Sequence, residues 1–191
     1  MNVVGINASP RIGGNSDILL DKAFAGAHTC GAKTEKIILN KLSFSCCQEC
    51  EDMPNSGECN IADDFRQIHK KVMAADVLII ASPIFFGSLS AQVKKMIDRF
   101  QCAWRGKHLF KNDNFADKKR IGAFIAVEAS DRCDFFANAK SIVKNFFSVI
   151  NADYKEELFC IGVDEKAAIL KHPDYLTKAF ELGKKVASRE V

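Results

Sequence analysis

The sequence lacks what a membrane, nucleic-acid-binding or hydrolytic protein would need. No apolar run approaches the roughly 20 residues that span a bilayer, and Met1 leads straight into a strand-like segment instead of a basic leader with a cleavage site. A cytoplasmic chain with no membrane partner is the expectation. No basic block stands out, because 27 basic and 24 acidic residues are interspersed to a net charge of +3; this makes no case for a nucleic-acid partner. There is no internal repeat, low-complexity tract or dividing linker in the 191 residues, so one domain spanning 1–191 is expected. Neither G-x-G-x-x-G nor G-x-x-x-x-G-K-[ST] occurs, which disfavours a Rossmann dinucleotide site and a nucleoside-triphosphate P-loop. His28, His69, His108 and His172 share no metal-ligand spacing, and no Ser, His and carboxylate arrangement suggests hydrolysis.

What is present is an alternation. Short β-branched runs at Asn2 to Ala8, Lys33 to Leu39, Asp76 to Ala81, Arg120 to Val127 and Tyr154 to Ile161 are separated by longer stretches of helical period. Those stretches run from about Asn15 to Cys30, Asp63 to Ala74, Leu89 to Gln101, Phe135 to Ile150 and Pro173 to Arg189. Five βα units of this kind predict an α/β fold, a doubly wound parallel sheet between two helical layers. Val77-Leu78-Ile79-Ile80 is apolar at every position, as a central strand covered on both faces must be. Asp63-Asp64 suits a helix start and Pro173 a first helical turn. Two segments fit no element and read as a cysteine-rich insertion at about 42–62 and a loop at about 104–119; long connections in compact domains are often functional.

The first strand ends in Asn7-Ala8-Ser9-Pro10-Arg11-Ile12-Gly13-Gly14-Asn15-Ser16, and a helix follows at once. Free N–H groups and the helix dipole at such a turn attract a phosphate. Ser9 and Ser16 offer hydroxyls, Asn15 an amide N–H, Arg11 a charged fork, and Gly13 and Gly14 a backbone free to approach. The plain alternative is a βα turn with Asn15 or Ser16 as the helix N-cap. The third strand runs into Ser82-Pro83-Ile84-Phe85-Phe86-Gly87-Ser88-Leu89-Ser90. Open α/β sheets bind ligands beyond the carboxyl ends of their strands, where strand order reverses, so these two turns should meet. There Ile84, Phe85 and Phe86 would wall a flat ring, with the N–H groups of Phe86 and Gly87 at its polar edge; a plain turn with an aromatic plug is the alternative.

Taken together, N-A-S-P-R-I-G-G-N-S, then S-P-I-F-F-G-S-L-S-A-Q-V-K-K-M-I-D-R, then the Pro-initiated last helix with Ala179-Phe180-Glu181-Leu182-Gly183-Lys184-Lys185 resembles the NAD(P)H-dependent FMN reductase and iron–sulfur flavoprotein group of flavodoxin-like proteins. The resemblance covers nearly the whole chain in order. It implies a five-stranded sheet of order 2-1-3-4-5, bound FMN, NAD(P)H as cosubstrate, and self-association into a homodimer or homotetramer. It places FMN phosphate on Ser9, Arg11, Asn15 and Ser16, and the isoalloxazine ring on Pro83, Ile84, Phe85, Phe86 and Gly87. Glu128 stands in the loop where relatives often carry a Gly-rich flavin contact. Relatives usually have Tyr at the position of Phe85.

Eight cysteines are many for a chain of a reducing compartment, and Cys46, Cys47, Cys50 and Cys59 crowd together. The segment resembles the compact motif with which iron–sulfur flavoproteins hold a 4Fe-4S cluster. Cys47, Cys50 and Cys59 fall in register, Met53 occupies the third position, and Cys46 is available as a substitute. A zinc site lacks its second cysteine pair, and free thiols covering the flavin or an oligomer contact are a third reading. Cys30, Cys102, Cys133 and Cys160 read as packing residues. Three functions follow: an NAD(P)H-dependent reductase of a flavin, quinone or similar small acceptor; an iron–sulfur flavoprotein passing electrons between ferredoxin-like partners; or a thiol-based redox sensor or binding module.

Overall fold

A computed structural model describes residues 1–51, 56–111 and 118–188. Five parallel strands are joined by helices: β1 (Asn2–Asn7), α1 (Asn15–Thr29), β2 (Lys33–Ile38), α2 (Phe65–Ala74), β3 (Val77–Phe85), the two-residue β4 (Ser88–Leu89), α3 (Ala91–Arg99), α4 (Gln101–His108), β5 (Arg120–Val127), α5 (Phe136–Val149), β6 (Ala152–Cys160) and α6 (Pro173–Ser188). The sheet order is β2-β1-β3-β5-β6, with β4 folded back antiparallel on β3. Setting that hairpin strand aside, this is the expected 2-1-3-4-5 order.

The apolar run of β3 explains its central place. Val77, Ile79 and Ala81 face a core shared with α1 and α6, while Leu78 and Ile80 face another shared with α2, α3, α4 and α5. Each residue is wholly buried, consistent with a strand that has helices on both sides. On the α1 face, Gly5 leaves room for Phe24, whose ring tip would lie 2.5 Å from a Cβ there.

Two boundaries differ from the sequence reading. β3 continues through Pro83 to Phe85, where a loop was expected, because β1 ends opposite Ala81 and Pro83 pairs only with Val127 of β5; a missing N–H on the open side costs no ladder bond. The segment read as a loop from Trp104 is helical to His108, since Cys102, Ala103 and Gly106 bury a narrow face of small residues that carries little apolar signal. Residues 112–117 of that predicted loop lie outside the described residues. Pro173 does open α6, as predicted.

Candidate functional site

At the carboxyl edge of the sheet, the turns after β1 and β3 are in direct contact. Ala8 N–H donates to the Ala81 carbonyl at 2.9 Å, and the buried Ser90 hydroxyl, from the turn opening α3, donates to the Ala8 carbonyl at 2.7 Å. Ser90 N–H in turn reaches the Ser82 hydroxyl at 3.3 Å, so hydrogen bonds join the two turns directly. Between them is a cleft lined by Ser9, Pro10, Arg11, Asn15, Ser16, Pro83, Ile84, Phe85, Val127 and Ala129, and by Val163, Asp164 and Lys166 from beyond β6.

Local chemistry shapes the first turn. Asn7 is fully buried; its Oδ1 accepts the Ser9 N–H at 3.0 Å, and its Nδ2 has no partner, leaving an unspent donor at the root of the loop. Ser9 Oγ accepts the Arg11 N–H at 3.1 Å. Gly13 sits at φ +70, a conformation other residues adopt at a cost, and its N–H donates to Asp17 Oδ2 at 2.8 Å. Asp17 is itself paired with Lys36 at 2.6 Å, which offsets the negative charge in the first turn of α1. The N-cap of α1 is Gly14, with no side-chain cap, which sets aside the reading of Asn15 or Ser16 as an ordinary cap.

Of the predicted residues, Ser9, Arg11, Asn15, Ser16, Pro83, Ile84 and Phe85 line the cleft; Phe86, Gly87 and Glu128 do not. Phe86 stands on the tip of the β3–β4 hairpin at φ +51 with its side chain wholly in solvent, and Gly87 follows at φ +68. Glu128 is buried and spent on structure: its Oε1 accepts the N–H and hydroxyl of Ser130, both at 3.0 Å, while its neighbours Val127 and Ala129 line the cleft. Asn15 lines the cleft, but its amide bonds the chain beyond β6. Sequence reasoning missed Val163, Asp164 and Lys166. The usable signal was topological: in a parallel sheet the turn after the last strand opens at the same edge as the turn after the first.

The cysteine segment lies against α2, α3 and α4, pinned at both ends. Asp64 Oδ2 accepts Ser43 N–H at 2.7 Å, and Asp63 Oδ2 accepts Ser45 N–H at 3.0 Å. Arg99, only 1% exposed, forms a two-pronged pair with Asp63 at 2.7 and 3.1 Å, donates to the Ser45 carbonyl at 3.0 Å and reaches Cys59 Sγ at 3.1 Å. Partial burial pushes the Asp63 carboxyl up, but Arg99 and the N–H groups of Ser45 and Phe65 outweigh it and hold the group down at about 2. Cys47, Cys50 and Cys59 are half-buried and Cys46 is exposed. Among the described residues no three His, Cys, Asp or Glu side chains converge on a common point, so the four thiols as placed do not fit a cluster. Met53 lies outside the described residues. Burial, with the Cys59 charge nearby, pushes the Cys102 thiol up to about 12, and burial does the same to Cys160, consistent with packing roles.

The family described as NADPH-dependent FMN reductase matches residues 1–138. An iron-sulfur flavoprotein of Methanocaldococcus jannaschii is 32% identical over 98% of this chain and 96% of its own length. Among solved structures, a flavone reductase superposes with a TM-score of 0.77 at 20% identity over 98% of this chain, which spans 62% of that longer one. An FMN-dependent NADH-azoreductase of Bacillus anthracis, solved in complex with FMN, superposes with a TM-score of 0.63 at 14% identity, covering 99% of each chain. At these identities the structural likenesses establish the flavodoxin-like fold.

Proposed function

The chain belongs to the NADPH-dependent FMN reductase family and is an NAD(P)H-dependent FMN oxidoreductase; from that premise we propose that FMN occupies the cleft at the carboxyl edge of β1, β3 and β5. The observation that carries this is the contact between the two turns: phosphate donors on Ser9 to Ser16 and an apolar wall of Pro83, Ile84 and Phe85 share one cleft. Arg11 and the amino end of α1 would neutralise the phosphate. Ile84, Phe85 and Val127 would shield one ring face from water. Bound FMN supplies the hydride acceptor, so the protein's task is orientation and electrostatics. A ring lying against this wall would leave its outer face open to NAD(P)H and then to a small acceptor.

Self-association into a dimer or tetramer is supported by the apolar side chains exposed around that open face, Ile12, Phe85 and Phe86. Among the described residues no helix is long and apolar enough to cross a membrane; a cytoplasmic location is supported by eight cysteines that are all free. Anaerobic stopped-flow mixing of the FMN-loaded protein with NADPH tests the reductase: rapid bleaching of the flavin absorption is expected. Near-silence with NADPH, together with fast reduction by reduced ferredoxin, would overturn it.

That second outcome belongs to the other reading, an electron carrier with a 4Fe-4S cluster on Cys46, Cys47, Cys50 and Cys59, supported by the name of the M. jannaschii relative and by the anchoring of Cys59. Iron and sulfide analysis of anaerobically purified protein, with Cys47→Ala as control, decides between them.

A further inference from the structure

One charged side chain in the cleft has no assigned work. Lys166 lies in the connection from β6 to α6, lines the same cleft as Ser9, Arg11, Asn15 and Ser16, and its ammonium makes no hydrogen bond or ion pair among the described residues. Its Cε would stand 3.8 Å from a Cβ placed on Gly13, so the lysine stem lies across the turn after β1.

We propose that Lys166 is a second cationic ligand of the flavin phosphate, carried over the phosphate turn on a strap, residues 161–169, that Asn15 and Arg11 latch in place. The inference rests on the FMN reading above and adds a third chain segment to it. The latch is specific: Asn15 Nδ2 donates to the carbonyls of Val163 at 3.3 Å and Glu165 at 3.0 Å, while its Oδ1 accepts the Ile169 N–H at 3.2 Å. Arg11 Nη1 donates to the Asp164 carbonyl at 3.1 Å. Gly162 at φ +69 and Ala167 at φ +62 bend the strap on either side of Lys166, and a non-glycine residue holds that conformation only where its surroundings impose it.

Charge balance favours the assignment. A phosphate monoester carries about −1.5 to −2 charges at neutral pH. Arg11 brings one positive charge, part of its fork is spent on the strap, and Asp164 adds a negative charge at the cleft wall. Asp17 is turned toward Gly13 and Lys36, and the Gly13 N–H is thereby withdrawn from the phosphate. Lys166 would bring a second full positive charge to the cleft, beside Arg11 and the amino end of α1.

Titration of apoprotein with FMN and with riboflavin, read by flavin fluorescence, tests this in wild type, Lys166→Met and Lys166→Arg. Lys166→Met should weaken FMN binding about five- to tenfold, the scale of one partly exposed charge-assisted hydrogen bond. It should also leave riboflavin binding unchanged and lower the salt dependence, while Lys166→Arg retains FMN affinity. If the wild type binds FMN no more tightly than riboflavin, the phosphate reading itself fails. If the wild type prefers FMN and Lys166→Met keeps the full preference, this inference alone is overturned. It is overturned equally if the substitution raises KM for NADPH relative to NADH while FMN affinity holds, because the cation then serves the nicotinamide cofactor.

Discussion

Phe86 is held at φ +51 on the hairpin tip with its ring wholly exposed. A bulky residue in that region costs about 1–2 kcal/mol relative to one that tolerates it, and no burial within the protomer offsets the cost. Asn-Gly is the preferred pair for such a two-residue turn, so Phe86→Asn should stabilise the isolated protomer by about 1 kcal/mol, read from the urea midpoint. If stability falls instead, the ring is packed in solution and its exposure here is not that of the native assembly. Other residues show why some of the site was legible and some was not. The cleft-lining roles of Ser9, Arg11 and Pro83 to Phe85 follow from turns whose donors and walls are contiguous in sequence. Asn15 reads locally as a phosphate donor, yet its amide is committed to carbonyls 148 and 150 residues away, a pairing no spacing rule contains. Arg99 carries no assignment of its own in the sequence, and only the fold places it inside, between Asp63 and Cys59.

Helices α1 and α6 approach closely enough that a Cβ on Gly183 would lie 1.8 Å from the Ala23 carbonyl oxygen, and one on Gly26 1.9 Å from that of Phe180. Backbone cannot yield as a flexible side chain does, so Gly183→Ala must force the helices apart. A loss of about 2–3 kcal/mol is expected, measurable as a lower urea midpoint at unchanged m-value. In the sequence Gly183 is only one residue of the last helical segment, because a glycine kept for contact and a glycine merely tolerated look alike. The elements themselves were largely legible: apolar runs and helical periods located every parallel strand and most helix bounds to within a few residues. The misses, the extension of β3, the β4 hairpin and α4, share a cause. Each depends on where a neighbouring strand stops or on a narrow buried face of small residues, and neither leaves a period in the chain.

For the whole molecule, the Asp63–Arg99 pair ties the cysteine segment to the helical layer over the sheet. The Asp63 carboxyl has a lower pKa folded than unfolded, so the unfolded chain binds the extra proton and stability rises with pH. This contribution is complete above about pH 5 and is lost as pH falls through the interval from the usual carboxylate value toward about 2. With the side chain 15% exposed, and allowing for solvent screening, it is on the order of 1–2 kcal/mol. Urea midpoints at pH 6 and pH 3 should therefore differ less in Asp63→Asn than in wild type; equal differences would mean the pair contributes nothing to acid stability.

The latch between Asn15 and the strap beyond β6 also fixes an order of events during synthesis. The turn after β1 leaves the ribosome 148 residues ahead of the segment that walls its far side, so a nascent chain can shape the mouth of the cleft without closing its side. Flavin capture then waits until the strap has been made, and chains stalled before residue 160 should release flavin on gel filtration where chains that include the strap retain it.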